Sequence, residues 1–205
     1  MYKLRSCFIS LEGIDGTGKS TMISHLAKCL EAKGYKTIIT RDPGSTPLGN
    51  DLREILLTRV MSPLTEIKLF DTIRQDMIDN IIIPNINSGF VVISDRYIDS
   101  TIAYQGFGRG LLKEAIETTQ KCKQPDYTIL LDIPLEVSLE RLKKCLGDDN
   151  KDKFDMIDIA FKQRIMEGYK AQAKEHPNRI STIDASGTVE EVQSLLFDWI
   201  DSRFT

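Results

Sequence analysis

Residues 13–20 read GIDGTGKS, directly after the apolar run Cys7–Leu11 (CFISL) and Glu12. This is G-x-x-x-x-G-K-S/T, the spacing of a loop that wraps nucleotide phosphates. Gly13, Gly16 and Gly18 let backbone N–H groups come close to phosphate oxygens, since no Cβ stands in the way. Lys19 reaches the β- and γ-phosphates, and the Ser20 hydroxyl is placed to ligate Mg2+. The expected ATP-binding loop therefore comprises Gly13, Ile14, Asp15, Gly16, Thr17, Gly18, Lys19, Ser20 and Thr21. An apolar strand before it and a helical pattern after it supply a helix N-terminus for the anion. Motors, switches and small-molecule kinases share such loops, so the octamer fixes nucleotide binding but not the acceptor.

Outward from this loop, short apolar runs alternate with longer amphipathic ones, the pattern of repeated strand-helix units. Strands are expected at Cys7–Leu11, Lys36–Thr40, Phe90–Ser94, Tyr127–Asp132 and Arg179–Ile183. Helices are expected at Lys19–Lys33, Leu48–Thr58, Pro63–Ile83, Leu111–Cys122, Leu135–Leu146, Asp155–Lys174 and Val189–Arg203. Near-continuous apolar strands such as TILLD suit a parallel sheet covered on both faces, hence a single α/β domain. The break CLGDDNKDKFD at 145–155 is polar and charged between two helical patterns.

Net charge of −3 argues against a broad nucleic-acid or polybasic membrane surface, so phosphates must meet a few placed cations. Cys7, Cys29, Cys122 and Cys145 show no C-x-x-C pairing, and His25 and His176 are too far apart for a zinc site. No apolar run approaches the ~18 residues of a membrane span, and no signal-peptide pattern opens the chain, so a soluble cytoplasmic protein is expected. Two strands end in aspartate, at Asp95 and Asp132. Asp95, followed by Arg96 and Tyr97, is the preferred second Mg2+ ligand; Asp132, before Ile133 and Pro134, reads as a turn. A guanine-reading N-K-x-D is missing by one residue, because NKDK at 150–153 ends in Lys153.

GIDGTGKST, RDPGSTPLG, LFDTIR and DRYIDSTIAYQG follow one another at spacings similar to those of bacterial-type thymidylate kinases. TIDA at 182–185 resembles that family's last strand. The resemblance implies a three-layer P-loop kinase fold with a five-stranded parallel sheet, a homodimer, and phosphoryl transfer from ATP to dTMP. It further implies that Arg96 and Arg53 grip the acceptor phosphate, a task that suits the bidentate fork of arginine. Asp15 resembles an aspartate beside the acceptor. Phe70 resembles the aromatic that stacks on thymine, with Arg74 one turn on and able to donate to a base carbonyl. Gln105 suits a pyrimidine edge. Tyr104 resembles the residue that sits against the sugar, and Ser100 is a further pocket residue.

Two departures stand out. Asp42 falls where many relatives have Glu, and the expected lid at about 142–155 holds lysines but no arginine. Lys153 is expected to close over ATP, with help from Lys151 or from Arg141 at the lid root. A deoxynucleoside kinase and a nucleotide-dependent switch are the alternative readings. Arg53 and Arg96 together favour an acceptor that already bears phosphate.

Overall fold

A computed structural model describes residues 6–146 and 158–204. Strands Phe8–Glu12 (β1), Lys36–Arg41 (β2), Phe90–Asp95 (β3), Tyr127–Asp132 (β4) and Ile180–Asp184 (β5) form one sheet in the order β2-β3-β1-β4-β5. Every pairing is parallel. Parallel neighbours need long crossovers, which the helices provide. They are Lys19–Ala32 (α1), Pro47–Thr58 (α2), Pro63–Met77 (α3), Ile83–Asn87 (α4), Ile98–Thr101 (α5), Leu112–Thr119 (α6), Leu135–Leu146 (α7), Ile159–Glu175 (α8) and Val189–Asp201 (α9). Strand side chains alternate between the two helical layers. Ile9, Leu11, Val91 and Ile93 pack in one buried cluster with Leu26 and Leu30 of α1 and Leu196 and Ile200 of α9. Phe8 and Val92 point the other way, into a cluster with Met77, Ile78 and Ile82. Each such fully buried side chain contributes about 1.5–3 kcal/mol relative to exposure.

Each expected strand lies within one residue of its observed span; the helix expected at Leu111–Cys122 ends earlier, at Thr119, and the helices differ further in three places. The long helix expected from Pro63 breaks into α3, a π-helical turn at Ile78–Ile82, and α4. Pro84 explains the break: it has no N–H to donate, and its ring crowds the carbonyl four residues back, which the wider turn accommodates. The segment after Asp95 is helical where none is expected, with α5 running into a second π-helix at Ile102–Gly108. Gly106 and Gly108 disfavour a helix locally, but tertiary packing supplies what propensity lacks. A Cβ on Gly168 of α8 would lie 2.9 Å from Ala103 Cα and 3.0 Å from Phe107, so two backbones meet closely there. Finally, α8 begins at Ile159, where the Asp158 side chain accepts from the Phe161 N–H; the start expected at Asp155 lies outside the described residues.

The carboxyl ends of β1, β3 and β4 bring Glu12, Asp95 and Asp132 to one edge of the sheet. Ligands of open parallel sheets bind in the crevice outside that edge.

Candidate active site

The phosphate loop leaves β1 in a conformation that only its glycines permit cheaply. Gly13, Gly16 and Gly18 take φ of 140°, 84° and 83°, and a Cβ on Gly13 would lie 2.5 Å from the Leu131 carbonyl oxygen. Thr17 Oγ1 donates to the Ile14 carbonyl at 2.9 Å, and Ser138 Oγ of α7 donates to that of Asp15 at 2.8 Å. Lys19 Nζ donates to the carbonyls of Gly13 and Ile14 at 2.9 and 3.0 Å, which folds the ammonium over the loop. Burial and then the neighbouring Arg96 guanidinium lower its pKa to about 8, against the pull of Asp15, Asp95 and Glu12. Around this loop opens a cleft of about 800 Å³ whose lining includes Gly16, Thr17, Gly18, Ser20, Thr21, Asp95, Arg141 and Lys144.

Arg96 stands at the centre. Its backbone is left-handed, φ 65°, a conformation that costs a non-glycine residue about 1–3 kcal/mol and persists only where neighbours hold it. Glu12 provides the hold. Its carboxylate is wholly buried and accepts from the Tyr97 N–H at 2.7 Å, Ser100 Oγ at 2.6 Å and Tyr169 OH at 3.3 Å. Burial, with Asp99 adding to it, raises Glu12 to about 7. The Arg96 guanidinium donates to the Gly13 carbonyl, Tyr169 OH and Ser100 Oγ from Nη1, and to Asp15 Oδ1 at 2.8 Å from Nη2. It also lies over the Tyr104 ring at 5.2 Å. Burial alone would raise the Asp15 carboxyl; Arg96 and then Lys19 reverse this and hold it below the usual range.

A second cavity of about 350 Å³ lies between α2, α3 and the Ile98–Gly108 segment, and Phe70, Arg74, Ser100, Tyr104 and Gln105 all line it. Phe70 is half-buried, belongs to neither core cluster and lines this cavity. Arg74 is buried; Nε donates to Asp42 Oδ2 at 2.6 Å and Nη2 to Thr101 Oγ1 at 2.6 Å, while Nη1 has no partner. Asp42 thereby gains a definite position, as the carboxylate that anchors Arg74. Asp15, Asp42, Arg53 and Arg96 line both the cleft and this cavity, so two bound molecules would meet at these four residues. Arg53 Nη1 donates to the Pro43 carbonyl at 2.7 Å.

Other expectations fall differently. Arg141 lines the cleft, but its guanidinium donates to the carbonyls of Gly16, Ala185, Ser186 and Gly187, tying the phosphate loop to the turn after β5. Asp132 lines neither cavity and lies 3.6 Å from Lys170. Lys151 and Lys153 lie outside the described residues. Glu12 and Tyr169 belong to no motif in the sequence. The signal for Glu12 is nonetheless there, an acid closing an apolar strand just as Asp95 does; Tyr169 carries none, since its place depends on how α8 docks.

A phosphate loop with its lysine, opening onto a second pocket walled by arginines and an aromatic, is the arrangement of a P-loop phosphotransferase. The family model for thymidylate kinase matches residues 11–196. Thymidylate kinases from Cupriavidus metallidurans and Cupriavidus pinatubonensis are 43% and 44% identical, covering 94% and 93% of this chain and 96% and 95% of theirs. The solved thymidylate kinase from Ehrlichia chaffeensis superposes with a TM-score of 0.77 at 29% identity, over 96% of this chain and 98% of that one. The chain belongs to the thymidylate kinase family, whose reaction is ATP-dependent phosphorylation of dTMP to dTDP.

Proposed function

We propose that ATP lies in the cleft over the phosphate loop and dTMP in the smaller cavity, with their phosphates meeting between Arg53, Arg96 and Asp15. The observation that carries this reading is the sharing of those residues by both cavities. An acceptor phosphate oxygen attacks the γ-phosphorus as the bond from that phosphorus to the β,γ-bridging oxygen breaks, releasing ADP. The nucleophile is already anionic, so no general base is required. The protein's work is positioning and charge stabilisation. Lys19 and Arg96 neutralise the phosphates, Arg53 grips the acceptor, and Asp15 orients Arg96. Phe70 stacks on the base, Tyr104 packs against the sugar, and Arg74, held in place by Asp42 and Thr101, donates to a base carbonyl.

Ser20 and Asp95 are the residues that would hold Mg2+. Asp95 Oδ1 is buried without a hydrogen-bond partner, and both residues line the cleft, which fits an oxygen-ligated cation. When bound, the ion would neutralise charge on the transferring phosphate. No described helix is long and apolar enough to cross a membrane. The resemblance to bacterial-type relatives supports a cytoplasmic homodimer, which sedimentation would read as twice the mass of one chain. The test of function is an ADP-release assay with dTMP, dUMP, dCMP, dGMP and thymidine as acceptors. dTMP is expected to be preferred; a preference for thymidine would instead support the deoxynucleoside kinase reading.

A further inference from the structure

We infer that Glu66 locks the side-chain amide of Gln105 in one orientation and thereby sets which pyrimidine edge the acceptor cavity takes. The inference rests on the reading that this cavity holds the acceptor's base. Glu66 lies in the first turn of α3, one turn ahead of Phe70, and both Glu66 and Gln105 line the cavity. Gln105 is 4% exposed, and its Nε2 donates to Glu66 Oε1 at 2.6 Å. Glu66 Oε2 accepts from Arg109 Nη2 at 3.1 Å, so the carboxylate is pinned from both sides.

A carboxylate only accepts, whereas an amide offers an NH2 end and a C=O end of nearly the same shape. Turned round, Gln105 would set its carbonyl against the Glu66 oxygen, acceptor on acceptor at the same short distance. The NH2 end is therefore committed to Glu66. The carbonyl end makes no hydrogen bond to any described residue and is the end left for a ligand. Thymine and uracil carry an N3–H donor that this carbonyl accepts. Cytosine carries a bare N3 lone pair that it repels. An amide free to flip would present its NH2 to cytosine and lose that discrimination, because specificity needs the repulsive element as well as the attractive one. Arg74 gives a separate preference for a carbonyl at the position beside N3 where cytosine carries its amino group, since a guanidinium only donates. Loss of Glu66 therefore weakens the choice without erasing it.

The experiment compares kcat/KM for dTMP, dUMP and dCMP in Glu66→Gln and wild type. The dTMP:dCMP and dUMP:dCMP ratios are expected to fall together by about tenfold or more, the scale of one mispaired polar contact. The dTMP:dUMP ratio is expected to stay within about twofold, because the C5 methyl is not what Gln105 reads. Pyrimidine ratios within about threefold of wild type, or a change confined to dTMP:dUMP, would overturn the inference. Gln105→Leu, run alongside, separates the two levels. If it collapses the dTMP:dCMP ratio and Glu66→Gln does not, the lock is wrong and the base-binding reading stands. If Gln105→Leu leaves the ratio intact, the base-binding reading fails with it. Glu66→Ala carries the same expectation, and failure of both Glu66 variants to fold, seen by thermal melting, would make Glu66 a folding residue and overturn the lock.

Discussion

Lys19 has its pKa lowered to about 8, first by burial and then by Arg96, so in the free protein its charge is lost as pH rises through that value. The charged form is the one that binds phosphate. kcat/KM for ATP should therefore fall on an alkaline limb near pH 8, while the limb in kcat moves higher because bound phosphate stabilises the ammonium. Lys19→Ala should keep the fold and lose ~10²–10³ in kcat, the cost of one transition-state donor; turnover near wild type would remove Lys19 from the mechanism. Glu12 titrates in the opposite sense. Its folded pKa of about 7 lies above the ordinary 4.5, so its contribution to stability is complete below about 4.5 and is lost as pH rises through about 7. Gln at this position cannot titrate. The melting temperature of Glu12→Gln relative to wild type should therefore rise between pH 5 and pH 8. A gap that stays constant or closes would show that Glu12 does not carry this proton.

Among the elements, the Ile98–Gly108 segment positions Ser100, Tyr104 and Gln105, and it is held by its close approach to α8. Gly168 makes that approach possible, because any Cβ there would press on the Ala103 backbone and the Phe107 ring at 2.9 and 3.0 Å. Neither neighbour is the far end of a flexible chain. Gly168→Ala should therefore destabilise the fold by about 1–3 kcal/mol through overpacking, despite alanine's better helix propensity. Thermal melting reads this directly; an unchanged or raised Tm would mean that the two elements part without cost. The same contact explains why a glycine-punctuated stretch is helical here.

For the whole molecule, the proposed acceptor site makes dTMP a ligand of the folded state alone. At 100 times its Kd it should stabilise the protein by ~2.7 kcal/mol. In a chain of this size that is a rise in Tm of roughly 5–10 °C. Phe70→Ala should weaken dTMP by ~1–3 kcal/mol, borrowing the scale of base–aromatic stacking. Between about a third and about nine-tenths of the dTMP-induced shift should then disappear at the same concentration, while the ATP-induced shift survives. Equal losses for both nucleotides would return Phe70 to a packing role.

The strands, the phosphate loop and the class of chemistry were legible from residues 7–20 and from the alternation of apolar periods, because all three rest on short-range causes. Glycine tolerates positive φ wherever it stands, and a parallel strand covered on both faces is apolar throughout. Motif order also picked out Arg53, Phe70, Arg74, Ser100, Tyr104 and Gln105, which the fold brings to the lining of one cavity. Partnership was not legible. Arg96 meets Asp15 across 81 positions, Glu12 meets Tyr169 across 157, and Gln105 meets Glu66 across 39. Neither the helix over Ile98–Gly108 nor the anchoring of Arg74 by Asp42 follows from local preference. A hydrogen bond's energy depends on which groups the fold brings within about 3 Å after water is excluded. Residue types therefore marked which side chains gather at the end of the sheet, and only the packing of α3, α5 and α8 around it decided how each is held.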